Sequence, residues 1–173
     1  MAQTFVQRIV GAARLDTATY EEVEADRSAT AQAAAVVGLV AVASGLGLLS
    51  AGGVSSLLMA AVGALLGWAV WAVVIYLVGA KWLPESTTRA DVGQVMRTLG
   101  FAQAPGLLRV FGWVPLVGGL VYLVATLWTI ASTVVAVRQA LDYSSTGRAL
   151  GVTVLGFAVN ALVWWLLRGL TGL

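Results

Sequence analysis

The side chains that could do chemistry in this chain are arginines and carboxylates, because the usual nucleophiles are missing. The 173 residues include no cysteine and no histidine, and only 10% are charged. This excludes thiol nucleophiles, disulfides and zinc or haem ligation by those side chains, and it removes the usual proton-transfer group near neutral pH. Four of the eight acidic residues, Glu21, Glu22, Glu24 and Asp26, form one cluster. Without histidine or apolar partners, this cluster predicts a solvated helix face.

The sequence lacks the residue patterns that common enzyme active sites require. There is no Walker-type phosphate loop and no pair of carboxylates inside an apolar segment. We therefore expect no enzyme, no catalytic residue, no cofactor and no metal. An intramembrane acyl or phosphoryl transfer is the one enzymatic alternative that stays open.

Ionisable groups beside apolar segments usually persist because they pair or contact something. Arg138 and Asp142 are one helical turn apart, and Arg148 follows them after a turn. We predict a salt bridge or snorkelling pair between Arg138 and Asp142 at a helix end. The alternative is a lipid headgroup or partner contact, with Arg97 and Arg138 as cations for phosphate.

Several polar residues lie within or beside long apolar runs. We expect Arg109 to snorkel towards headgroups beside Trp113. Pro105 predicts a bend, while Gln103 and Asn160 could bond across helices or line a polar path. These residues are the basis for the alternative function of a small transporter or lipid-translocating protein.

The elements that carry these residues are membrane-spanning helices. Hydrophobic residues make up 60% of the chain, and the mean hydropathy is +0.91. No charge occurs over the 53 residues of Ser28–Ala80, which predicts two spans, about Gln32–Ser50 and Ser56–Ala80, joined by a glycine-rich turn.

The second half of the chain predicts further spans. Val92–Phe111 is long enough to cross, but its charges and proline leave a kinked span and a re-entrant half-helix both open. Beyond it, 28 uncharged residues precede Arg138 and 19 follow Arg148. The predicted fold is an all-α bundle of five transmembrane helices over residues 31–173.

Residues 1–30 form a short N-terminal segment whose acidic content is wrong for a cleaved signal peptide. Its apolar residues Phe5, Val6, Ile9, Val10 and Ala13 share one side of a helix. That amphipathic helix could lie on the headgroups or pack against the bundle. The positive-inside count gives eight cytosolic basic residues against two, whether residues 92–111 span or only dip. Both topologies place the N-terminus in the cytosol.

Small residues spaced four apart predict close helix crossings. Gly63 with Gly67, and Gly147 with Gly151, are such pairs. A partner helix in the same chain is favoured for the first pair, with self-association or another membrane protein as the alternative.

Three stretches resemble a known family. These are FVQRIVGAARLDTATYEEVEADRSATAQA, RTLGFAQAPGLLRVFGWVPLVGG and LWTIASTVVAVRQALDYSSTGRAL, and they look like the bacterial branch of the Yip family, the Ypt-interacting membrane proteins. The resemblance implies five spans and a cytosolic N-terminus. Eukaryotic relatives bind prenylated Rab-type GTPases and act in early secretory traffic, whereas the bacterial ones have no settled role. The Asp-Leu-Tyr-Gly-Pro type motif is missing here, which puts GTPase binding in doubt and assigns it to no residue.

Taken together, the sequence predicts a non-enzymatic protein of the bacterial cytoplasmic membrane that binds or organises membrane lipids, other membrane proteins or copies of itself. A net charge of +2 gives no reason to expect a nucleic-acid partner.

Overall fold

The computed structural model describes residues 3–46 and 53–171, and the regular structure of these residues is helical. The α-helices are α1 (Phe5–Ala13), α2 (Thr17–Ala25), α3 (Ala29–Leu46), α4 (Gly53–Tyr76), α5 (Val92–Phe101), α6 (Gly118–Ala140) and α7 (Thr146–Thr171). A π-helical turn, Leu77–Trp82, continues α4, and a 3₁₀ helix, Ala104–Trp113, follows α5.

Three helical stretches are long and apolar enough to cross a membrane: Ala29–Leu46, Leu57–Trp82 and Gly118–Ala140. A shorter apolar stretch, Thr146–Leu162, lies within α7. The predicted end of the first span near Ser50 and the turn at Gly52 fall outside the described residues.

The N-terminal helices pack against the bundle, which is one of the two arrangements that the amphipathic pattern allowed. The Phe5 and Phe101 rings lie edge to face, 6.4 Å apart. The indole Nε1 of Trp128 donates a 2.7 Å hydrogen bond to the carbonyl of Ala13. In α2, Tyr20 and Val23 are fully buried in the common core.

The segment from Val92 to Trp113 does not form one continuous α-helix. Pro105 lies in the first turn of the 3₁₀ helix, where its missing N–H costs no hydrogen bond. The segment runs beside α3 in the same direction, with Gly100 against Ala33 and Gly106 against Val40. Within the described residues it follows α3 along its length without turning back.

The glycines that allow close crossings are not the predicted ones. A Cβ placed at Gly63, Gly67 or Gly151 would meet no described atom within 4 Å, and one at Gly147 would meet only Ser145, at 3.6 Å. The expected packing of Gly63 and Gly67 inside the chain is therefore wrong for the described residues, and Gly147 and Gly151 make no close helix crossing there.

Close approach occurs instead at glycines that lie on internal helix faces. A Cβ at Gly100 would lie 2.6 Å from that of Ala33, and one at Gly156 would lie 2.7 Å from Ile75. The four-residue spacing alone does not indicate which face of a helix points inward, and this is why the prediction failed.

Candidate functional site

Two carboxylates of the acidic N-terminal cluster, Glu22 and Asp26, form ion pairs with Arg8, whereas Glu21 is exposed as the sequence predicted. Arg8 is 2% exposed, and its guanidinium donates to both carboxylate oxygens of Glu22, at 2.9 and 2.6 Å. It also donates to Asp26 at 2.6 Å and to Gln32 at 2.9 Å. Arg8 therefore ties α1 to α2 and to the start of α3.

Arg97 has a structural position at the end of α2. Its side chain is 5% exposed and donates to the backbone carbonyls of Val23 and Glu24. These carbonyls belong to the last turn of α2, where intrahelical partners are lacking. The contact joins α5 to α2 and leaves Arg97 buried rather than presented to phosphate.

Glu24, in α2, has a strongly raised pKa. Burial first, then repulsion from Asp142, raises its pKa from 4.5 to about 7, with smaller contributions from Glu21 and Asp91 and an opposing one from Arg97. Gln94 donates to it at 3.0 Å. Glu24 lines a polar cleft of about 640 Å³ together with Glu21, Gln139 and Asp142.

Arg138 and Asp142 do not pair with each other in the described part of the chain, so the predicted salt bridge is wrong. The Arg138 guanidinium donates to the carbonyls of Tyr143 and Ser144 and to the hydroxyl of Thr146. Asp142 has a φ of 51°, and its carboxylate accepts from the backbone N–H of Arg89. The left-handed turn at Asp142 interrupts the helix, so the one-turn spacing no longer applies.

Arg148 forms an ion pair in this region, with Glu85 instead of Asp142. It lies 3.6 Å from the carboxylate of Glu85 and donates to the carbonyls of Leu83 and Pro84. Glu85 also accepts from the N–H and hydroxyl of Ser144, and these bonds lower its pKa. These ion-pair and hydrogen-bond contacts join the 83–91 connection to the α6–α7 turn and the start of α7.

A cavity of about 750 Å³, partly open to its surroundings, lies among the long helices. Its walls come from α3, α4, the 3₁₀ helix, α6 and α7. Apolar side chains dominate them, among them Val37, Val40, Ala64, Trp71, Ile130 and Phe157. This size falls within the range of about 300–1,000 Å³ that is usual for small-molecule sites.

A few polar side chains converge on the cavity, and three residues that the sequence analysis singled out are among them. Arg109 is half-buried in its wall, and its Nη2 lies 3.4 Å from the hydroxyl of Thr126. Gln103 and Asn160, the two amides that the sequence singled out, line the same space. The bundle brings together polar groups from three separate segments.

Thr129 adds a buried polar atom that has no partner in the part of the chain that the structure describes. The residue is 8% exposed, and its Oγ1 makes no hydrogen bond to any described residue. An unsatisfied buried hydroxyl costs about 1–3 kcal/mol. In the wall of a cavity, such an atom indicates a site where another polar group could bind.

Sequence reasoning missed the cavity, although α6 carried a signal for it. Thr126, Thr129 and Thr133 lie on one helical face of an otherwise apolar span, and all three line the cavity. Gly67 was assigned to helix packing, but it faces the same space.

Among the described residues, no group of three or more histidine, cysteine, aspartate or glutamate side chains could hold a metal ion.

Comparison with known proteins identifies the family. The Yip1 domain model matches residues 16–167, nearly the whole chain. Neither the curated proteins nor the solved structures gave a significant match. The match confirms the resemblance to the Yip family that the sequence motifs indicated. The chain belongs to the Yip1 domain family, and its long apolar helices are those of a membrane protein of the Yip type.

Proposed function

We propose that this protein is a non-enzymatic Yip-type protein of the bacterial cytoplasmic membrane, and that it holds a membrane lipid in the cavity among its long helices. The observation that carries the proposal is the cavity itself, which combines apolar walls with a few convergent polar groups. A lipid has the same combination, with a polar headgroup joined to apolar chains.

Five membrane crossings form part of this proposal. Three helical stretches meet the length and hydropathy of a span, and α7 contains a shorter apolar stretch. The fifth crossing is the segment 92–113, because it follows α3 along its described length. Its broken helix is compatible with a bilayer where other helices cover it. Buried Ala104 and Pro105 support such cover.

We place the N-terminus in the cytosol. Eight of the ten basic residues belong to the N-terminal segment, to residues 81–97 or to the adjoining ends of α6 and α7. Contacts join these three regions at one end of the bundle, for example Gln139 with Glu21 and Thr87 with Asp142. An excess of lysine and arginine on one side is typical of the cytosolic face.

Filling the cavity tests the lipid proposal. Gly67→Leu adds a side chain that extends into the cavity, while Gly63→Leu adds the same side chain one turn earlier on α4, outside it. After purification in a mild detergent, we expect fewer phospholipids per protein for Gly67→Leu and an unchanged number for Gly63→Leu. Equal lipid content in the wild-type protein and both variants would refute the proposal.

The same control variant tests for protein partners. The face of α4 at Gly63 is exposed within the described structure, so another membrane protein or a second copy could pack there. A lower mass of the Gly63→Leu complex by light scattering would support such a partner, and an unchanged mass would argue against it.

Lipid translocation is the second candidate function. The specific observation in its favour is the polar lining of the cavity by Gln103, Asn160 and the α6 threonines. If the protein moves lipid, reconstituted vesicles should exchange a labelled phospholipid between leaflets faster than empty vesicles. Equal exchange rates in vesicles with and without the protein would exclude translocation and leave lipid binding as the function.

A further inference from the structure

Arg109 has no counter-ion among residues 3–46 and 53–171. Its hydrogen-bond partner, Thr126, lies eight residues from the start of α6, about 12 Å along the helix axis. The guanidinium therefore contacts α6 well inside the helix and not at its end. None of the ion pairs among the described residues includes Arg109, and no carboxylate lines the cavity. An arginine stays charged throughout the physiological pH range.

A charge among apolar helices is costly unless it is paired or hydrated, so such residues mark places where something binds. The weak 3.4 Å contact with Thr126 satisfies one N–H of the five that a guanidinium carries. The remaining donors suit an oxyanion, because a guanidinium can bind phosphate through two parallel hydrogen bonds.

We propose that the cavity binds a phospholipid whose headgroup carries a net negative charge, with its phosphate at Arg109. This proposal rests on the proposed function, since it names the class of lipid that the same cavity holds. The acyl chains lie along Val37, Trp71 and Phe157, and the glycerol region lies near Gln103, Asn160 and Thr129.

Charge complementarity favours an anionic lipid over a zwitterionic one. A zwitterionic headgroup brings an ammonium as well as a phosphate, and that ammonium would need an anion nearby. The cavity wall offers Arg109 and neutral polar groups but no aspartate or glutamate. A headgroup with a single net negative charge neutralises Arg109 and leaves no second charge unpaired.

The test measures which lipids remain bound. The protein is reconstituted in vesicles of equal parts phosphatidylglycerol and phosphatidylcholine, re-extracted in mild detergent, and its bound lipids are counted by mass spectrometry. We expect the wild-type protein to hold phosphatidylglycerol in excess by about tenfold, from the strength of charged hydrogen bonds. Arg109→Gln should lose this preference while keeping its total lipid, and Arg109→Lys should keep most of the preference.

The outcomes separate the two proposals. If Arg109→Gln retains the wild-type preference, or if the wild-type protein has none, the anionic-lipid inference is wrong while lipid binding stands. If Gly67→Leu leaves the total lipid unchanged, lipid binding in the cavity fails. Displacement of phosphatidylglycerol by excess inorganic phosphate, or retention of free fatty acid instead, would also overturn the inference. Elution volume and thermal unfolding establish that each variant is folded.

Discussion

The contact between α3 and α5 at Gly100 gives a prediction whose size follows from the structure. A Cβ at Gly100 would lie 2.6 Å from the Cβ of Ala33 and 3.1 Å from its Cα and carbonyl oxygen. Favourable carbon contacts are about 3.5–4.0 Å long, so Gly100→Ala must push the two helices apart by roughly 1 Å. The obstructing atoms are backbone and Cβ atoms, which no rotamer change can move.

The expected cost combines two opposing terms. Overpacking of a close contact costs about 1–3 kcal/mol. Replacing glycine by alanine inside a helix regains up to about 1 kcal/mol of helix propensity. We therefore expect Gly100→Ala to lower the free energy of unfolding by about 1–2 kcal/mol.

Gly63→Ala is the matched control, because no described atom lies within 4 Å of its added Cβ. With the packing cost absent, its stability should rise by about 0.5–1 kcal/mol. Thermal unfolding of the detergent-solubilised proteins measures both changes, which should have opposite signs. If Gly100→Ala is as stable as Gly63→Ala, the close α3–α5 contact and the reasoning from it are refuted.

Three further predictions concern the polar end of the bundle. Arg8→Gln should destabilise the fold by about 2–3 kcal/mol, since it leaves the partly exposed carboxylates of Glu22 and Asp26 without their cation; chemical or thermal unfolding measures this. Arg138→Gln and Asp142→Asn should be additive within about 0.5 kcal/mol in a double-mutant cycle, because the two side chains do not pair. Glu24→Gln should alter the pH dependence of unfolding. The folded-state pKa of Glu24, about 7, lies above its ordinary 4.5, so wild-type stability from this group is complete below pH 4.5 and is lost as the pH rises through 7. Glutamine at position 24 does not ionise, so the variant keeps this stability at high pH. It should be more stable than the wild type at pH 8 by about 1–2 kcal/mol, after allowance for solvent screening.

Each of these three predictions has a distinct contrary result. For Arg8, the control is Arg14→Gln, an exposed position expected to change stability by under about 0.5 kcal/mol. Equal effects at the two sites would contradict the buried ion pair. A coupling energy above about 1 kcal/mol between Arg138 and Asp142 would show that the two side chains do form a salt bridge. Parallel stability curves of wild type and Glu24→Gln from pH 5 to 8 would refute the raised pKa.

Membership of the family and the helical class could be predicted from the sequence alone. Long uncharged runs such as Ser28–Ala80 exclude a soluble fold, because a bilayer core of about 30 Å demands such lengths. Three of the predicted spans reappear as helices with the required length and hydropathy. The local break after Phe101 was also visible, because Pro105 cannot continue an α-helix without a lost hydrogen bond.

The side-chain partners could not be predicted in the same way. Arg8 pairs with carboxylates 14 and 18 positions away, and Arg97 bonds to carbonyls more than 70 positions away. The spacing rules for helices describe neighbours three or four residues apart, and they fail wherever the chain turns, as it does at Asp142.

The sequence by itself therefore determined what solvent surrounds this protein and which segments are helical, since both depend on local composition and periodicity. The tertiary structure decided which helix faces meet. It turned Gly67, Thr129 and Asn160 towards one cavity and put Arg109 in its wall without an acidic neighbour. These are consequences of helix rotation and crossing, and they depend on the packing of every helix at once.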